Sequence, residues 1–285
     1  MNDPAVRSHV DKWLAAHPAQ RLSLPFIAAP RRDLYLALAA LEQELVSAAY
    51  GIREPHVAAT KLNWWAEELG GAVVGGGRHP LVQALFADAG VRALAPELWL
   101  APPMAALQQL EAGTPADFPA QLAAAAPFHG ALATLETRLW FGPDADPARA
   151  TRVASLDHLL QRLTRLEAHA DDERLPLPMS RLARHGLDRD SLGRDDTSRR
   201  DAVHAQIIDL IQAWHEAMRL PGPLSTFRGL DARLGRHWLQ TARRAGAPVK
   251  RRRAAQTPQT GFGTLRRAWS AARASRGEQL RAGID

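Results

Sequence analysis

RRDLYLALAALEQELVSAAYGIREPHVAATKLNWWAEEL, residues 31–69, decides the fold. It reads as a helix, a short break and a second helix. Leu34, Leu38, Leu41 and Leu45 recur at spacings of three and four, which gives one apolar stripe on a helix over 31–50. Ala37, Ala39, Ala40, Ala48 and Ala49 allow other helices to approach closely. Glu42 and Glu44 stand roughly 200° apart around the axis and cannot share a face. Gly51 suits a left-handed cap, and Pro55 opens the next helix. On that helix Trp65 shares a face with Leu62 and Leu69 and is expected in the core, whereas Trp64 borders a cavity or the surface.

Helix signals continue on both sides. Asp3 and Pro4 form a cap and first-turn pair for a helix ending near His17. The second helix of the quoted stretch ends at Gly70 and Gly71, followed by a glycine-rich loop. A short helix runs from Pro80 to about Gly90. Prolines at 96, 102 and 103 predict a break, with a helix resuming at Met104. A long helix covers 118–141, with a kink expected at Pro127 and Gly130. Further helices are read over 147–170, 196–220, 224–245 and 265–282. No segment alternates as a strand. One all-α domain over 1–285 is expected, with a mobile basic loop over 248–261.

The chain has no Cys, which excludes disulfides and thiolate metal sites. The N-terminus lacks the apolar core of a secretory signal, and no apolar run reaches membrane-span length. The expectation is a cytoplasmic protein, with peripheral attachment to the inner membrane face left open. The net charge of +6 is uneven, since 228–285 carries fourteen Arg or Lys against three acids. Lys250, Arg251, Arg252 and Arg253 form the densest basic tract. Such a region suits an anionic membrane surface, an acidic partner or nucleic acid. It also reads simply as a solvated face. Without interleaved aromatics around that tract, nucleic acid is not expected.

Two constellations resemble the squalene/phytoene synthase family. In the first, Arg31 or Arg32 precedes Ala37-Leu38-Ala39-Ala40-Leu41, KLNWWAEEL follows over 61–69, and His79-Pro80-Leu81 opens a proline-led helix. In the second, Gln161 matches the family's glutamine, and Arg174-Leu175-Pro176-Leu177-Pro178 is similar to its R-x-Y-L-P turn. The resemblance implies an all-α isoprenoid synthase fold, with roughly a dozen helices around a central cavity. It also implies magnesium held by two aspartate-rich helices against a prenyl diphosphate. Here the first aspartate positions fall on Val46, Ser47 and Tyr50, and the second cluster is broken at Ala168.

Leu41-Glu42-Gln43-Glu44-Leu45 is similar to a branch of the family that includes a mitochondrial complex I assembly factor and bacterial relatives. Glu44 matches that branch's glutamate, although it reads equally as a helix-to-helix ion pair.

The resemblance makes Arg31, Arg32, Glu44, Gln161, Arg165, Asp172 and Arg174 candidates for the cavity. Asp171 and Asp172 are the residual metal candidates. The expectation is a catalytically degenerate member that binds a prenyl or lipid ligand, or acts on a protein partner as an assembly factor, without a cofactor. The alternative is an active prenyltransferase using Mg²⁺ on diverged ligands.

Overall fold

The computed structural model describes residues 3–166, 174–245 and 261–284. Thirteen α-helices and no strands occur among them. α1 is Pro4–Ala16, and two short 3-10 turns lead from it to α2, Ala29–Tyr50. α3 is Pro55–Val73, α4 Pro80–Phe86, α5 Ala89–Arg92 and α6 Pro96–Gln109. α7 is Phe118–Phe141, α8 Ala148–Thr164, α9 Met179–Arg184 and α10 Arg189–Leu192. α11 is Thr197–Ala217, α12 Thr226–Ala245 and α13 Phe262–Arg281. The expected mobile loop over 248–261 lies almost wholly outside the described residues.

Side-chain caps set several helix starts. Asp3 accepts from the Ala5 amide at 2.8 Å, Asp117 from Ala120 at 2.8 Å and Asp196 from Arg199 at 2.8 Å. Each satisfies an amide that the helix itself leaves unpaired.

α2 departs from a single apolar stripe, because every residue from Leu34 to Leu41 is buried. Its alanines fill the faces between the leucines, so neighbours close around the helix on all sides. Gly51 also differs from expectation: its φ is −96°, a right-handed conformation. Glycine is needed there for space, since a Cβ would stand 2.7 Å from the Ser47 carbonyl oxygen.

The break expected at 96–103 is absent. α6 runs straight through Pro102 and Pro103. Both are buried together with Trp99 and Ala106, and this packing against α3 and α7 offsets the lost backbone hydrogen bonds. α3 continues through Gly70 and Gly71 to Val73, and α8 stops at Thr164, short of the expected end.

Two large apolar clusters result. One joins α1–α6 to the C-terminal half of α7, and the other joins the first turns of α7 to α8, α11 and α12. Fully buried leucines such as Leu45, Leu62 and Leu210 each contribute about 1.5–3 kcal/mol. α7 runs through both clusters and touches α6 and α8 along its length.

Candidate functional site

α2, α7, α8 and α12 surround a polar cavity, and α1 with the following turn closes one end. α2 contributes Ala39, Glu42, Gln43 and Val46, a helical i, i+3, i+4, i+7 set. α7 contributes His129 and Glu136, α8 Asp157, His158 and Gln161, and α12 Phe227, Arg228 and Asp231. The open volume is only about 100 Å³.

Arg228 fills the middle. Its Nε donates to Glu136 Oε2, and its Nη2 lies 3.3 and 3.4 Å from the two Glu42 oxygens. Ser225 Oγ donates to the other Glu136 oxygen at 2.5 Å and accepts from the Arg228 amide at 3.0 Å. One guanidinium therefore ties α2, α7 and α12 together. Burial works against its charge, but Glu136 and Glu42 overcome that and raise its pKa above the ordinary value. Burial pushes the Glu136 carboxyl up while Arg228 pulls it down.

Asp157 and Asp231 face the same cavity. Gln161 Nε2 donates to Asp157 at 2.7 Å, and Gln20 Nε2 donates to Asp231 at 2.8 Å and to the Phe227 carbonyl at 3.0 Å. Burial raises both carboxyls. For Asp231 the neighbouring Asp157 charge adds to burial and carries it well above the usual range. His129 is buried neutral: desolvation and then Arg228 lower its pKa to about 3. Its Nε2 has no hydrogen-bond partner among the described residues. The ring stacks on Tyr50 at 5.6 Å and lies 4.3 Å from the His158 ring.

Tyr50 leads outward to a basic mouth. Its hydroxyl donates to Gln109 Oε1 at 3.1 Å, and burial pushes its pKa up to about 12. Arg53, Arg162 and Arg174 line this mouth, which holds about 140 Å³. Arg162 donates to the Arg174 carbonyl at 2.5 Å, and Arg174 Nε donates to the Ala112 carbonyl at 2.5 Å. A separate, larger groove of about 770 Å³ runs outside the bundle between α7, α8 and α11. It is lined by Leu122, Ala123, Ala126 and Ala213, with Arg152 and Glu216 at its polar edge.

Of the residues singled out in the sequence, Gln161 borders the cavity and Arg174 the mouth. Arg165 caps the end of α8 and lies near enough to His17 to help lower its pKa. Glu44 points away from the cavity. It accepts from Lys12 at 2.8 Å and meets His9 at 3.3 Å, the helix-to-helix ion pair that was its other reading. Arg31 lies 4.0 Å from Asp88, and Arg32 donates to the Ile27 carbonyl at 3.0 Å, so neither reaches the cavity. Asp171, Asp172 and Lys250–Arg253 lie outside the described residues.

Sequence reading missed Glu136, His129, Arg228, Asp157 and Asp231. Glu136 and His129 had a usable signal: they are the lone acid and the lone histidine of the largely apolar 118–141 stretch. An acid such as Glu136 is seldom buried without a partner.

The architecture is the all-helical isoprenoid synthase fold. Among solved structures, a dehydrosqualene synthase in complex with a ligand superposes with a TM-score of 0.71 at 9% identity, covering 95% of this chain and 98% of that one. Squalene synthase HpnC from Alicyclobacillus acidocaldarius gives 0.65 at 15% identity, covering 85% and 95%. At these identities the likeness establishes the fold. No protein-family model and no curated protein matches the sequence.

Magnesium, which the fold implies, does not fit the described residues. Val46 and Tyr50 offer no carboxylate, and the Glu42 and Glu136 oxygens already accept from Arg228. No three His, Asp or Glu side chains among the described residues are placed to hold one ion.

Proposed function

We propose that this chain is a non-catalytic relative of the squalene/phytoene synthases and works by binding, as a lipid-binding or assembly protein. One observation carries the reading: Arg228 spans the cavity between Glu42 and Glu136 and leaves about 100 Å³. Sites for ligands of drug size or larger run to roughly 300–1,000 Å³. A prenyl diphosphate would have to displace a buried ion pair. Head-to-head condensation needs departing diphosphate charge neutralised, and although Glu42, Glu136, Asp157 and Asp231 share the cavity, no three acids or histidines among the described residues are placed to hold one metal ion for it. The outer groove, at about 770 Å³, is of a size to take an acyl or prenyl chain, or the apolar side chains of a partner helix.

The test is incubation with farnesyl or geranylgeranyl diphosphate and Mg²⁺, with release of inorganic diphosphate as the readout. No release above the protein-free blank is expected.

The alternative, prenyl transfer on diverged ligands, draws on the cationic mouth. Arg53, Arg162 and Arg174 there suit a diphosphate. Under that alternative Asp172→Ala abolishes diphosphate release; under the non-catalytic reading there is no release for it to abolish.

A further inference from the structure

The outward face of α13 carries apolar and cationic side chains together. Phe262 is 83% exposed, Leu265 37%, Trp269 48% and Leu280 58%. At 3.6 residues per turn these four lie within about 60° of one line along the helix, and Arg266, Arg273 and Arg276 fall in the same sector. The opposite face is small and buried: Thr264, Ala268, Ala271, Ala272 and Ser275. Those residues seat α13 on α12 and on the turns after α1. Gln279 Nε2 pins the far end to the Trp140 carbonyl at 3.2 Å and to the Tyr35 hydroxyl at 3.3 Å. The burial pattern is thus inverted with respect to size: alanines face the protein, and phenylalanine, tryptophan and leucines face out.

The charge is equally one-sided. Glu278 is the only acid in α13, and its partner is Arg281 at 2.7 Å. The Arg273 guanidinium lies 5.5 Å over the Trp269 ring, while Arg236, Arg243 and Arg244 of α12 are exposed as well.

We propose that this face of α13 docks the protein on an anionic membrane surface, with Phe262, Leu265, Trp269 and Leu280 entering the headgroup–acyl boundary and the arginines holding lipid phosphates. A helix lying in the interface needs this combination of bulky apolar side chains, tryptophan and arginine, and basic residues there are drawn to anionic lipid. No helix among the described residues is long and apolar enough to cross a membrane, so attachment through this helix is peripheral. A second copy is the weaker occupant, because a two-fold contact through this face would bring like charges together. Nucleic acid is weaker too, since Leu265 and Leu280, on the same line as Phe262 and Trp269, give bases no ring to stack on. The docking face is separate from the central cavity and stands whether or not the cavity is catalytic.

The test is co-sedimentation of the full chain with two vesicle types, phosphatidylcholine alone and phosphatidylcholine with about 30% phosphatidylglycerol. The account expects binding to the anionic vesicles that weakens with salt. Arg266→Ser and Arg273→Ser are each expected to weaken it about fivefold. Phe262→Ser combined with Trp269→Ser is expected to remove the part that survives high salt. All four positions are exposed, so thermal melts should match the parent and separate lost docking from lost fold. Equal binding to both vesicle types, no binding, or binding unchanged in both sets of variants would overturn the proposal. So would a preference for nucleic acid, or self-association that the same substitutions abolish.

Discussion

At the scale of single residues, the interior is organised by one cation and several acids of unequal standing. Arg228 and Glu136 form a buried pair that Glu42 and Ser225 complete. Removing one partner of such a pair strands the other. Arg228→Met is therefore expected to destabilise the fold by about 3–5 kcal/mol. Adding Glu136→Gln to that variant should recover part of the loss, so a double-mutant cycle by urea unfolding should return a large coupling term. Additive effects would mean that the pair is not formed. Asp231 behaves oppositely. Its folded pKa is raised, so its contribution to stability is fully present below the unfolded value near 3.8 and is lost as pH rises through the folded value. Asparagine keeps an acceptor for Gln20 and has no charge to bury. Asp231→Asn should therefore be more stable than the parent at pH 8, by roughly 1 kcal/mol or more, with the gap closing below about pH 4. A less stable variant at pH 8 would show that the ionised carboxylate is the form the cavity is built for.

At the scale of helices, close approach is set by small residues, and this was only partly readable. Gly235 on α12 lies against α8 and α11. A Cβ there would stand 2.7 Å from Trp214 Cη2 and 3.1 Å from Leu160 Cδ2. Gly235→Ala should thus cost about 1–3 kcal/mol by overpacking, despite alanine's better helix propensity. A thermal melt at or above the parent's would contradict the packing. The helices of the 31–69 stretch were legible because their leucines, tryptophans and punctuating glycine and prolines agree locally with the fold. α6 was not, because proline reads as a breaker until tertiary burial holds it in place. The cavity was hardest to read. Glu42 and Arg228 are 186 positions apart, and Arg228 and Glu136 are 92 apart. No local spacing encodes such a pairing. Family motifs pointed instead to Glu44, which binds Lys12 and His9 on the other side of the helix.

At the scale of the whole molecule, the fold matches that of solved structures at 9–15% identity. Apolar periodicity and small residues at crossings suffice for the helical frame. The chemistry within depends on a few side chains that the frame tolerates in other combinations. Here an ion pair occupies the centre, an apolar groove lies outside, and a basic helix with exposed aromatics forms one flank. The proposed non-catalytic role, with engagement from the outer surface, rests on these features. The most direct measurement of that account is diphosphate release by the intact chain supplied with farnesyl or geranylgeranyl diphosphate and Mg²⁺. The account predicts no release above the protein-free blank. Sustained Mg²⁺-dependent release that Asp172→Ala abolishes would contradict it.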